Sequence, residues 1–579
     1  MEGTPRTTIA TTTVTTTSSS PPYDIKSDSG ALNILPSTTT STVKSDASIH
    51  DFDSNEKSVG DNKLEGDLEQ QDKPANHTPT GIRRFLLLLG LFLGCILAAL
   101  DNTIVATVLP QISSDFNAQS QMAWIATAYL LAYTAFQSLY GRFSDIFGLK
   151  PMYLGASVIF LIGSIGCGAA SSMIMLIIFR AVQGIGGAGL LSIMMIMVSV
   201  MFEDINERAR YQTLAYLAFG VSGICGPLLG GVFVEHSTWR WCFYMNIPIG
   251  IFAFLLVSKF YQIPFKRTET LQKKLKRVDY FGVLIIISAV LCLLLPLNWG
   301  GTAYAWNSAA IISLFCVMGV LIIVLVFVEQ RAEEPIIPMY LFLNREVALL
   351  VTVNFLTGLI FNGCGFYVPL YFQVVQATSV TDSGLRLMPA VLGAVFSTGA
   401  SGFLLAKVKD YRRFITLGAA ALTLSVGLFI LFDEHTSLAK QLIFVLIMGL
   451  GQGFIYQNCV LACQDCTEAK DMAVATGFVV FINSIGNAVG VAVCAAVINN
   501  ALTTNLAKLP EASQAVFREL NVIENINVIF TLPEGLRAEV VHAYALAFRT
   551  LFITLTPMIG IGFMLSLFVR RRGSLARKE

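Results

Sequence analysis

Two charged side chains stand inside apolar runs long enough to cross a bilayer, and they carry the chemistry this sequence can do. Asp101 lies near the middle of a run that begins near Phe85, and Arg180 lies within the run that begins near Met173. A charge at the centre of a membrane helix costs about 2.5–3.5 kcal/mol on insertion scales, so each must face a partner or a water-filled cavity. A carboxyl taken out of water favours its neutral form, as a group that loads and releases a proton near neutral pH requires. Arginine keeps its proton, so the task open to Arg180 is to tune a nearby carboxylate, and Asp101 is the candidate. Gln183, three residues on, falls on the same helix face as Arg180. Two plainer readings stand beside this one: an aspartate that only locks helices together, and an arginine that snorkels to the interface.

Other chemistry finds little support. Eleven cysteines are scattered, mostly one per apolar segment, as small hydrophobic filler would be. Cys463 and Cys466 form one CxxC with no second pair and no nearby histidine, so no metal site is expected. There is no nucleotide loop, metal cluster or catalytic triad, so neither an enzyme nor an ATP-driven pump is expected, and no cofactor. A net charge of +1 leaves no electrostatic footprint for nucleic acid.

The elements that position these residues are membrane helices. The chain is 54% hydrophobic and 13% charged. A soluble domain carries about 25% charged residues. That makes it an all-α polytopic membrane protein. Spanning takes about 20 predominantly apolar residues. Fourteen such runs begin near Phe85, Gln121, Pro151, Met173, Tyr211, Phe243, Asp279, Ala309, Val347, Ser383, Phe414, Leu438, Asp471 and Tyr544. An even number puts both termini on one side. With fourteen spans, Arg83 and Arg84, the loop from Lys259 to Arg277, the loop from Lys407 to Arg413 and the arginines from Arg570 all share one face. Positive charge stays inside, so both termini are predicted to be cytosolic. Residues 500–542 are predicted to form an external loop. Residues 1–80 are Thr- and Ser-rich. They are too polar to offset their ordering entropy, so they are expected to be a disordered cytosolic tail rather than a cleaved signal peptide.

One run is built from small residues. Residues 220–231 read GVSGICGPLLGG, with Gly220, Gly223, Gly226, Gly230 and Gly231 around Pro227. Interior glycines cost a soluble helix roughly 1 kcal/mol each. In a membrane they let two helix backbones touch. The predicted outcome is a kinked stripe against which a second helix can rock.

This stretch resembles the antiporter motif G-x-x-x-G-P-x-x-G-G of drug exporters in the major facilitator superfamily. Further strings fit the fourteen-helix drug:proton antiporters of that superfamily. LDNTIVATVLP at 100–110 is similar to L-D-x-T-I-V-x-x-A-L-P, with Val108 where Ala is usual. GRFSDIFGLK at 141–150 resembles G-x-L-A-D-R-x-G-R-K, keeping Gly141, Asp145, Gly148 and Lys150 but not the middle basic residues. RAVQGIG at 180–186 is similar to R-x-x-Q-G-x-G, and WRWCFYMNIPIG at 239–250 to W-R-W-x-F-x-x-N-x-P-x-G. LNWGGTAYAWNS at 297–308 looks like an external loop of fungal members.

The resemblance implies a major facilitator fold of 14 transmembrane helices, arranged 6+2+6. The parts would be an N-terminal bundle at 81–262, a basic cytosolic linker at 263–278, two extra helices at 279–328, a C-terminal bundle at 329–570 and a basic tail at 571–579. It implies proton coupling at Asp101 and Arg180, a cytosolic gate at Gly141, Asp145, Gly148 and Lys150, and a hinge at 220–231. Gln183, Gln373, Gln452, Tyr456 and Gln457 are the candidates for a substrate cavity. The implied activity is proton-driven export of an amphipathic small organic compound (a drug, toxin or secondary metabolite) by a functional monomer, in the plasma membrane or, failing that, the vacuolar membrane. Uptake of a siderophore or other metabolite and a non-transporting sensor are the alternatives.

Overall fold

The computed structural model describes residues 81–118, 121–202, 204–262, 270–301, 304–332, 334–337, 339–468, 470–510 and 526–570. The tails expected at 1–80 and 571–579 lie outside these, as do 263–269 of the linker and 511–525 of the expected loop. Fourteen long helices run through the described residues. They are α1 Ile82–Asp115, α2 Met122–Phe147, α3 Leu149–Gly168, α4 Met173–Met201, α5 Ile205–His236, α6 Asn246–Phe260 after the single turn Trp241–Tyr244, and α7 Tyr280–Trp299. The series continues with α8 Ala309–Glu329, α9 Arg345–Val374, α10 Val380–Val408, α11 Tyr411–Phe429, α12 Leu438–Cys466, α13 Met472–Leu506 and α14 Glu534–Ser566. Thirteen of these are long and apolar enough to cross a membrane. The remaining one, α2, carries Thr127, Thr134, Gln137, Ser138 and Arg142, and its packing explains why.

Seven of these helices start at a side-chain cap that satisfies an otherwise unpaired amide. Ser172 accepts from the Met175 N–H at 3.2 Å, Asp279 from Gly282 at 2.8 Å and Asn344 from Glu346 at 3.1 Å. Two ends differ from the sequence reading. Helix α14 starts at Glu534, well before Tyr544, and α13 continues to Leu506, so both ends of the expected loop at 500–542 are helical. Hydropathy reports only what lies in lipid. Helix α13 has 35 residues. At the α-helical rise it spans about 52 Å. That exceeds the hydrocarbon core of about 30 Å, and the excess stays helical because it packs. Leu502, Leu506, Val540 and Ala543 are buried there, and Asn505 donates to the Ala543 carbonyl at 3.3 Å.

The helices form a 6+2+6 arrangement. Within the first six, α1 packs on α5 and α6, α2 on α4, and α3 on α4 and α6. The last six repeat these pairings: α9 with α13 and α14, α10 with α12, and α11 with α12 and α14. Between the halves, α2 packs on α13 and α5 on α10, one contact being the other with the halves exchanged. Helices α7 and α8 pair with each other, and α7 leans on α2 and α13. Only 6% of the apolar stretch of α8 is buried, against 89% of α4. Thus α4, which carries Arg180, is the most protein-enclosed of these helices, while α8 faces its surroundings.

Candidate functional site

Asp101 and Arg180 form a direct ion pair, with 0% and 1% of their side chains exposed. The second carboxylate oxygen of Asp101 accepts from Gln183 Nε2 at 2.7 Å and from Asn246 Nδ2 at 3.3 Å. Gln183 also donates to Ser164 Oγ at 2.9 Å, and its carbonyl accepts from Arg180 Nη1 at 2.8 Å. Arg180 Nε donates to the Ile125 carbonyl at 3.1 Å, and its guanidinium lies 4.4 Å over the ring of Tyr129. Five helices, α1, α2, α3, α4 and α6, therefore meet at one charge pair. The turn spacing of Arg180 and Gln183 on α4 puts both on Asp101. Gln183, expected in the cavity, belongs to this cluster instead.

A cavity of about 480 Å³ has Tyr129 in its lining and reaches into both halves. Helices α1, α2, α4 and α5 line it from one half and α9, α10, α12 and α13 from the other. This is why α2 is polar: Tyr129, Tyr133, Thr134 and Gln137 face inward, at one-turn spacing. Of the residues expected there, Gln452 and Tyr456 line the cavity. Gln373 does not; it donates to Ser383 Oγ at 2.9 Å near the α9–α10 connection. Nor does Gln457, which reaches from α12 to α5, donating to the Ala209 carbonyl at 2.7 Å and to Thr213 Oγ1 at 3.0 Å. Neither the α2 stripe nor the pair Asn483 and Asn487, one turn apart on α13, was expected in the cavity. Polar side chains recurring every four residues in an apolar helix were the available signal.

Hydrogen bonds between the halves cluster toward the end of the molecule where α2 turns into α3. Gln212 donates to Gln464 at 3.3 Å, Gln457 joins Ala209 and Thr213, and Ser484 donates to Gln137 at 2.6 Å. Gly141 lets α2 touch α13: a Cβ there would lie 2.9 Å from the Ala473 carbonyl. Gly148 makes the turn with φ +97°, a conformation other residues rarely adopt. Asp145 is 3.9 Å from Arg142. Arg142 also meets Glu334 of the α8–α9 connection, at 3.7 Å to the carboxylate and 3.3 Å to the carbonyl, and Glu334 accepts from Arg277 Nε at 2.7 Å. Lys150 sits half-buried in the first turn of α3 and makes no ion pair among the described residues.

The glycine stripe of α5 serves two neighbours rather than one. A Cβ on Gly220 would overlap Val395 of α10, and one on Gly223 would touch Val391 at 3.6 Å. Gly226 instead faces α1, where a Cβ would overlap Thr103 Oγ1 and lie 3.1 Å from the Ile104 amide. Gly230 is buried and Gly231 faces open space. The side chain of Pro227 lies outside the described residues.

The family model described as Major Facilitator Superfamily matches residues 91–491. This chain belongs to the major facilitator superfamily. Members of the superfamily are membrane transporters that bind small-molecule substrates. The facilitator is 33% identical to "MFS-type transporter phomT" of Diaporthe leptostromiformis, over 82% of each chain. It is 32% identical to "Aspyridones efflux protein" of Neocamarosporium betae, over 83% of this chain and 86% of that one. Such relatives place it with the drug-efflux type of facilitator. Its fold is that of the human organic anion transporter MFSD10, with a TM-score of 0.56 at 14% identity, covering 84% of this chain and all of the other.

Proposed function

We propose that this facilitator is a proton-coupled secondary active transporter that exports an amphipathic small organic compound from the cytosol. The carrying observation is Tyr129, whose ring carries the Arg180 guanidinium and which also lines the cavity. Protonation of Asp101 cancels the negative half of the ion pair. Arg180 then still has the Ile125 carbonyl, the Gln183 carbonyl and the Tyr129 ring, so its charge stays solvated while its position is free to change. Movement of the guanidinium moves the wall of the cavity. Substrate pressing on that wall favours one position of the ion pair, and such differential contact is what coupling requires.

In this reading the basic loops lie in the cytosol, as do both termini. The end closed by Gly141, Asp145 and Gly148, with Lys150 beside them, is the cytosolic gate. The 220–231 stretch is the surface on which the halves rock. The protein works as a monomer, since one chain lines the whole cavity, and the plasma membrane is its expected location. Export is the direction carried in the names of its efflux relatives.

The test is accumulation of a compound panel in pump-deleted yeast expressing the protein, with and without a protonophore. The expected result is lower accumulation of at least one compound, abolished by the protonophore and by Asp101→Asn. Higher accumulation than in control cells would make it an uptake system. Full export by Asp101→Asn at normal surface density would remove the coupling role.

A further inference from the structure

Among the described residues, twenty-six line the cavity, and none of these is an aspartate, glutamate, lysine, arginine or histidine. Asp101, beside the lining residue Asn102, pairs with Arg180, which lies over the ring of Tyr129, and both are buried. In place of charges the wall carries six amides and six aromatic rings. The amides on α2, α9 and α13 are engaged with one another. Asn483 Oδ1 accepts from Asn487 at 3.3 Å, Gln137 Oε1 accepts from Ser484 at 2.6 Å, and Asn362 donates to the Asn487 carbonyl at 3.2 Å.

The opposite wall differs. Tyr216 of α5 meets Tyr456 of α12 edge to face, with centroids 5.2 Å apart, and Gln452 lies one turn from Tyr456. The Tyr216 hydroxyl and the Gln452 carbonyl oxygen are both buried and find no hydrogen-bond partner among the described residues. A buried polar atom without a partner is costly, and a ligand that supplies one is favoured. A ligand lying on the Tyr456 ring would receive a hydrogen bond from Tyr216 and give one to Gln452.

We infer that the substrate is uncharged in the form this cavity binds, that it is aromatic or similarly flat, and that it carries at least one hydrogen-bond donor and one acceptor. Binding of an anion or a cation is disfavoured because no opposite charge meets it inside. This inference rests on the reading that the cavity is the transport site, but its test is one of binding and does not need coupling.

The experiment uses the full chain, purified, and three anthraquinones of one scaffold: the hydroxymethyl alcohol, the carboxylate and the trimethylammoniomethyl cation. Binding is followed by quenching of protein fluorescence. Both ions are expected to bind at least about 30-fold more weakly than the alcohol. Tyr216→Phe and Gln452→Leu should each weaken the alcohol about tenfold. Because a loss can reflect misfolding, Gln452→Glu supplies a gain: it should admit the cation at least as well as the wild type admits the alcohol. Equal wild-type affinity for either ion and the alcohol would overturn the inference, as would a Gln452→Glu protein that binds the alcohol unchanged and still rejects the cation. A protein that binds the alcohol, rejects both ions and fails to move the alcohol down a proton gradient would support this inference and remove the proton-coupled function.

Discussion

Asp101 is retained in an apolar interior because three side-chain donors, from Arg180, Gln183 and Asn246, meet its two oxygens. Breaking such a pair from one side leaves an uncompensated charge and costs about 3–5 kcal/mol, whereas removing both partners costs far less. Asp101→Asn is therefore expected to lower the yield of monodisperse protein on size-exclusion chromatography. Asp101→Asn with Arg180→Gln should restore yield while export stays absent; restored export would reduce the pair to a structural lock. Tyr129→Phe, which keeps the ring, should export near the wild-type rate, and Tyr129→Leu should not, as read by drug accumulation at matched surface density. The sequence pointed to the pair because lipid makes any interior charge conspicuous. That Asn246, quoted only within the 239–250 string, and the Ile125 carbonyl meet the pair was not legible, since both arrive from other helices. Gln457 shows the same limit. It is one residue from Tyr456, yet a rotation of about 100° per residue turns it away from the cavity and onto α5.

At the scale of elements, the two faces of α5 predict opposite failures. Gly226 packs inside its own half, against α1. Gly226→Leu should therefore overpack α1, cost about 1–3 kcal/mol and lower the thermal midpoint in detergent. Gly220 packs across to α10, so Gly220→Ala should leave the midpoint near wild type and slow transport. Val395→Ala, which makes room, should recover it. Both glycines look alike in the sequence, where a stripe can be read but the identity of its neighbours cannot. The Glu334 bridge between Arg142 and Arg277 ties the extra helix pair to the α2–α3 turn. Its side chains are 14–22% exposed. Glu334→Gln is accordingly expected to cost only about 1 kcal/mol. Hydrogen exchange along 139–147 should nonetheless quicken, and unchanged exchange would show that the bridge does not hold that end closed.

For the whole molecule, apolar run length gave the helix number, because lipid allows few other structures. The helix ends that project past the bilayer did not follow from it, since hydropathy is silent there. The two halves repeat the same helix pairings and are joined by hydrogen bonds toward the end where α2 turns into α3. Gly141 of α2 and Val474 of α13 meet at that end, where a Cβ on Gly141 would lie 3.3 Å from the Val474 Cα. Gly141→Ala should therefore wedge this end apart and slow transport at matched surface density, and hydrogen exchange along 472–480 should quicken. Wild-type transport by Gly141→Ala would show that the halves need not meet closely there.

A wall without charge also has an electrical consequence. Cargo that leaves as a neutral molecule carries no current, while each proton entering in exchange carries one positive charge inward. Turnover would then be a current, and the membrane voltage would drive it alongside the pH difference. A potential of about 100 mV adds about 2.3 kcal/mol per proton, up to ~50-fold in the substrate gradient the pump can sustain. Proteoliposomes clamped with potassium and valinomycin at fixed pH should therefore export faster as the side that receives the protons is made more negative.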